Sequence, residues 1–458
     1  MTDPLFWHRL QFGFTVTYHY LFPQLTMGLA LLIVVFKWRA LKTADSGWDA
    51  AARFWARIFG LNFAVGVVTG IPMEFQFGTN WARFSAFSGG VIGTTLAMEG
   101  MFAFFLESTF LGLFLYGEKR LSPRAHFGTA VALFVGSWLS GYFIVATNAF
   151  MQHPVGYLQG ADGRLHLNDF WAFVLNPWAV WQYAHNMCAS VLTAAFVVSA
   201  ISAFWLLLGQ FPEVASKCLR VGVVAAAIAA VLQLFPTGDR QGRMVADHQP
   251  VALAAMEGVF ESGPGARLAI IGQPDVRHRR LVNPVEVPGM LSFLAYGSFG
   301  STVLGLNDVP EDLWPDNVEL TYYAYHIMVG LGTLFIALGL VSALWLYLGK
   351  LLRSRWLLWI WMLALPFPYI ANTAGWVTAE LARQPWIIHG LLRTSQGTSL
   401  RVDAGSTVFT LAGFAGLYLV VGLLFLYLVG REIAHGPSGA PPAARAPAGA
   451  ALAGGGRA

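Results

Sequence analysis

Val91-IGTTLAMEGMFAFFLESTFLGLFLY-Gly117 is an apolar run long enough to cross a bilayer, and it carries two glutamates, Glu99 and Glu107. A charged side chain at mid-bilayer costs about 3 kcal/mol or more unless it is neutralised, paired or wetted, so each is a functional-site hypothesis by default. The two lie eight residues apart, roughly 12 Å along a helix. That spacing suits stepping stones for a proton better than a single ion pair.

The rest of the chain has the same character. Of 458 residues, 56% are hydrophobic and 11% charged, with a mean hydropathy of +0.57. Such a chain cannot present a soluble surface, which makes it an all-α integral membrane protein. Its 17 Trp suit interfacial belts. The formal charge of +4 requires no nucleic-acid partner, since basic residues gathered on the cytoplasmic side account for it. Two cysteines, Cys188 and Cys218, are too few for a disulfide framework, a zinc ribbon or an iron–sulfur cluster. The N-terminus lacks a basic lead into a short apolar core with a cleavage site, so the first span is expected to be retained.

About nine spans are expected, near 13–36, 55–77, 91–116, 127–150, 178–208, 217–235, 320–349, 356–379 and 407–430. Alternate short connections carry Lys37, Arg39, Lys42 and Arg53, then Lys119, Arg120 and Arg124, then Lys217, then Lys350, Arg353 and Arg355. The positive-inside rule puts these in the cytoplasm, the N-terminus outside and the C-terminus inside. The chain thus divides into six spans over 1–235, an outside loop over 236–319, three spans over 320–435 and a disordered cytoplasmic tail over 436–458. Within the loop, Met244-VADHQPVALAAMEGVFESG-Pro264 reads as helical and amphipathic enough to dock on something. No internal repeat is evident.

Ordered by depth, His19, His185, Met328, Glu99 and Glu380 fall in one layer near the outer face, with Glu107 deeper toward the cytoplasm. His and Met are axial ligands of six-coordinate haem iron, whereas a lone His or carboxylate leaves an axial position open for oxygen. Each residue also has a plain reading. A membrane His is as readily a packing hydrogen-bond donor, a Met is core filler, and Glu380 can pair with Arg383 one turn on. Glu74 sits near the water boundary and reads as structural. The coincidence of depth across five spans carries the inference. Two classes remain open on these grounds: a haem-bearing redox enzyme, and a proton-coupled transporter using the intramembrane carboxylates. A transporter should show repeat-related halves, and the cytochrome b of a quinol–cytochrome c reductase should show two His pairs on two spans; neither is evident.

At these same residues the chain resembles subunit I of the cytochrome bd-type quinol oxidases, over nearly its whole length apart from the tail. The stretches that carry the resemblance are Thr15-VTYHYLFPQLTMG-Leu29, Gly70-IPMEFQFGTNW-Ala82, Met98-EGMFAFFLEST-Phe110, Trp138-LSGYFIVATNAFMQHPVG-Tyr157 and Gly375-WVTAELARQPW-Ile387. The resemblance implies that His185 and Met328 are the axial pair of a low-spin haem b. It implies that His19 and Glu380 ligate two high-spin haems, one a haem b and the other a haem d or a further haem b. Glu99, Glu107 and Ser140 match a proton route from the cytoplasm, and Trp376 an aromatic packed between haems. The long outside segment matches a quinol-binding loop with Glu257, in Ala254-AME-Gly258, as its acidic residue. A second integral subunit, and a small single-span one beside it, are the implied partners. The implied reaction oxidises membrane quinol at the outer face of the bacterial inner membrane and reduces oxygen to water.

Three positions depart from the family pattern. Ala252 stands where the loop usually carries lysine, His326 in Tyr325-HIMVGLG-Thr333 where arginine is frequent, and Ala382 where a glycine precedes Arg383-Gln384-Pro385-Trp386. A histidine is only conditionally charged, so its support of the reduced low-spin haem depends on pH. With a short loop, His326 points to the cyanide-insensitive branch.

Overall fold

The computed structural model describes residues 3–437; the tail expected to be disordered lies largely outside them. Among the described residues, nine helices are long and apolar enough to cross a membrane. They are span 1 (Pro4–Thr43), span 2 (Ser46–Thr79), span 3 (Ala82–Tyr116), span 4 (Pro123–Gln152), span 5 (Phe170–Leu207), span 6 (Pro212–His248), span 7 (Val318–Tyr347), span 8 (Arg355–Ala382) and span 9 (Ala404–His435).

The helix starts are written locally. Asp3, Asp45, Ser122, Asn176, Asn317 and Asp403 each accept from a backbone N–H of the first turn, satisfying donors that hydrocarbon would leave stranded. Proline stands in the first turn of spans 1, 4 and 6, where its missing N–H costs nothing. Several helices outrun the apolar stretches that announce them, because capped polar turns continue past the hydrocarbon. Span 6 continues through a distorted turn at Gln233–Gly238 into an amphipathic helix, Asp239–His248, where hydropathy alone ends it at residue 235.

Span 5 is the centre of the bundle, with 78% of its most apolar window buried; span 9 is peripheral at 6%. Spans 5 and 6, 3 and 4, and 1 and 2 make the most extensive pairings. At one end of the bundle Lys37, 7% exposed, pairs with Asp49 at 2.5 Å, and Arg53 with Glu118 at 3.0 Å, tying the ends of spans 1 to 3. The loop between spans 6 and 7 holds a helix (Pro250–Glu257) and an antiparallel hairpin, β1 (Leu268–Asp275) paired with β2 (Arg280–Val287). The amphipathic reading of residues 244–264 matches the two helices found there; the hairpin was not foreseen.

Candidate functional site

Span 3 is not a continuous α-helix. Residues Glu99–Phe104 form a π-helical segment that begins at the first buried carboxylate. Its i→i+5 bonding accommodates one extra residue per turn, a feature frequent at functional sites. In an unbroken α-helix eight residues rotate by about 800°, leaving Glu107 about 80° from Glu99. Discounting one residue returns Glu107 to within about 20° of Glu99. Both carboxylates therefore face span 4. Ser140 Oγ donates to Glu99 Oε1 at 3.1 Å. Ser137, buried at 1% exposure, lies beside Glu107. Gly136 permits the approach: a Cβ there would stand 2.9 Å from the Glu107 backbone nitrogen. Glu74 lies within electrostatic range of Glu99, a proximity its place near the water boundary did not suggest.

His19 is oriented by span 2. The Thr69 hydroxyl donates to the Val65 carbonyl at 2.9 Å, so it can only accept from His19 Nδ1–H, at 3.1 Å. That network assigns the tautomer and leaves Nε2 as a free lone pair, the state a metal ligand requires. His185 repeats the Nδ1 side of this arrangement, but its Nε2 is engaged by Gln233, which would have to yield to a metal. Thr237 Oγ1 donates to Leu232 O at 2.7 Å and accepts from His185 Nδ1–H at 3.3 Å, while Gln233 Nε2 donates to His185 Nε2 at 2.8 Å. Gln233 Oε1 is left buried without a partner.

His185 and Met328 line one cavity, with about 1080 Å3 of empty space counting its open mouth. They reach it from spans 5 and 7, and Gly375 and Trp376 of span 8 line the same space. A Cβ at Gly375 would stand 2.9 Å from Met328 Sδ, so the glycine makes room for the sulfur.

Glu380, one turn past Trp376, pairs with Arg383 and accepts from Asn148 Nδ2 at 2.8 Å. Gln182 Nε2 in turn donates to Asn148 Oδ1 at 2.8 Å. The i,i+3 pairing weighed as the plain reading of Glu380 does form. It does not account for Arg383, which is 3% exposed and has Nε and Nη1 unpartnered. A buried guanidinium with idle donors fits an anionic group such as a haem carboxylate. The open Nε2 of His19, the cradle at Gly375 and these idle donors together fit haem.

Glu257 ends the loop helix and is 3% exposed, with Oε2 unpartnered. Burial pushes its carboxyl up to about 7, opposed by a hydrogen bond from Tyr325. His326 lies between two carbonyls, with Nδ1 2.9 Å from Tyr322 O and Nε2 3.0 Å from Ala269 O on strand β1. It therefore links span 7 to the hairpin.

The layer expected from depth resolves into separate groups. His185, Met328 and Trp376 share a cavity, Glu99 joins Ser140, and Glu380 joins Arg383. Among the described residues, no hydrogen bond joins His19 to Glu99 or Glu380. Thr69, Thr237, Asn148 and Ser137 were missed. Each is an ordinary polar residue in an apolar helix, and only its partner on another span distinguishes it.

The family described as Cytochrome bd terminal oxidase subunit I matches residues 7–437. The chain is 35% identical over 438 residues to the Cytochrome bd ubiquinol oxidase subunit 1 of Bacillus subtilis (strain 168), covering 93% of each. It is 32% identical over 504 residues to the Cytochrome bd-II ubiquinol oxidase subunit 1 of Escherichia coli (strain K12), covering 96% of this chain and 98% of that one. A chain of the bd oxidase structure from Geobacillus thermodenitrificans superposes with a TM-score of 0.88 at 31% identity, covering 95% of this chain and 99% of that one.

Proposed function

This chain belongs to the cytochrome bd terminal oxidase subunit I family, and from that membership we propose which of its residues perform the reaction. The protein is a quinol:oxygen oxidoreductase subunit, a multi-pass protein of the bacterial inner membrane that uses haem and works with a second subunit. The transporter alternative is not favoured. When bound, haem supplies one-electron transfer and oxygen activation.

In the proposed assignment His185 Nε2 and Met328 Sδ hold a low-spin haem b. The observation that carries it is their shared cavity, with the His185 tautomer set by Thr237. His19 and Glu380 hold the two high-spin haems, haem b and either haem d or a second haem b. Arg383 binds a haem carboxylate, and Trp376 packs between the low-spin cavity and Glu380.

Glu107 and Glu99, aligned by the π turn and flanked by Ser137 and Ser140, move protons outward from the cytoplasm. Glu257, in its ionised form, accepts a proton from quinol and releases it outside. The N-terminus lies outside and the C-terminus in the cytoplasm. The separation of the two proton sites generates charge separation without a pump. His326 and the short loop support our assignment of the protein to the cyanide-insensitive branch.

Haem extraction from the purified complex tests the assignment. Three haems per copy of this chain are expected, and the extracted macrocycle decides between b and d. Fewer than three would remove one of the proposed ligands from the scheme.

A further inference from the structure

Beside Glu257 stands a second unpartnered group. The Tyr322 hydroxyl, on span 7, has no hydrogen-bond partner although the residue is only 1% exposed. A buried hydroxyl without a partner forfeits about 1–3 kcal/mol, so its position calls for a ligand. The phenol is held in place from several sides. Its ring stacks on His326 with centroids 3.9 Å apart. A Cβ on Gly258, the residue after Glu257, would stand 3.1 Å from the ring; one on Gly272 of strand β1 would stand 2.8 Å from the hydroxyl oxygen. Two glycines thus allow loop and hairpin backbone to close on this one side chain. Tyr322 and Glu257 lie within electrostatic range of each other. Tyr325 engages Glu257, yet Oε2 stays idle. Ala252, on the same loop helix, offers no donor.

We propose that Tyr322 is the second substrate-binding group of the quinol site, its O–H donating to the quinol oxygen whose proton passes to Glu257 Oε2. The idle pair is complementary to one hydroxyl, an acceptor for its proton and a donor for its lone pair. As the quinol O–H bond breaks and the proton reaches Oε2, negative charge grows on the quinol oxygen, and the Tyr322 hydrogen bond stabilises it. The electrons leave by the route of the established oxidase reaction. This inference rests on the reading of Glu257 as proton acceptor.

The test compares Tyr322→Phe and Glu257→Gln in the purified complex, with a short-chain benzoquinol as donor and oxygen uptake as readout. Tyr322→Phe keeps the ring and its stack on His326, so an unchanged low-spin haem spectrum certifies the fold. The KM for quinol should then rise roughly fivefold to tenfold, the cost of one neutral hydrogen bond. A normal quinol KM in Tyr322→Phe beside an impaired Glu257→Gln would overturn the proposal and spare the role of Glu257. Normal kinetics in both would overturn the loop site itself. An effect of Tyr322→Phe alone would contradict the pairing.

Discussion

Ser140 on span 4 donates a 3.1 Å hydrogen bond to Glu99 at the first residue of the π-helical segment in span 3. The relationship ties backbone irregularity to chemistry. Without the extra residue in that turn, Glu107 would be turned about 80° from Glu99 around the helix, and the two carboxylates would not line up on one face.

Glu107→Gln should lower quinol-driven oxygen uptake at least tenfold while the quinol KM stays within twofold. It removes a titrating group from the proton route and leaves the loop alone. Ser140→Ala should slow turnover by a smaller factor, about threefold to tenfold, through loss of one hydrogen bond to Glu99. Steady-state oxygen electrode measurements distinguish the two.

Gly375→Ala should act on the haem ligand more than on the fold. The added Cβ would stand 2.9 Å from Met328 Sδ, and a methionine end is flexible enough to move aside. Thermal stability should change little, while the low-spin absorption band weakens as the sulfur withdraws. Spectra and melting curves from one preparation check both halves.

Arg383→Gln removes the buried cation from its pair with Glu380 and the idle donors from the proposed haem carboxylate site. Glu380 retains Asn148. Haem content should fall below wild type, with a further loss of stability of about 1 kcal/mol from the lost charge-assisted hydrogen bond to the half-exposed Glu380. Haem extraction and denaturation of the same variant test this.

Quinol oxidation should depend on pH through Glu257, whose carboxyl lies at about 7 against an ordinary 4.5. The ionised form is the proton acceptor, so kcat/KM for quinol should rise as pH increases through about 7. Stability runs the other way. Between the ordinary and the folded value the folded state binds more protons than the unfolded one, so this group's contribution is present below about 4.5 and is lost as pH rises through about 7. Glu257→Gln should flatten both profiles.

The nine spans were legible because hydropathy integrates over some 20 residues and tolerates local irregularity. His19, His185, Met328, Glu99 and Glu380 could be grouped by depth, since depth follows from distance along a span, whereas Trp376 was named only through the resemblance. The π turn at Glu99 was not legible. It depends on span 4 packing against Gly136 and Ser140, a contact between distant parts of the chain. Thr69 and Thr237 were invisible for the same reason, as each gains its role from a histidine about 50 positions away. The hairpin over Ala269 was read as plain loop, because residues 268–287 mix apolar and polar positions irregularly and its register shifts twice.

The most direct test of the account is the reduced-minus-oxidised spectrum of the purified complex carrying His185→Ala or Met328→Leu. Either change should abolish the low-spin haem b signal while the high-spin signals remain. A low-spin signal of wild-type position and intensity in both variants would contradict the assignment on which the electron route rests.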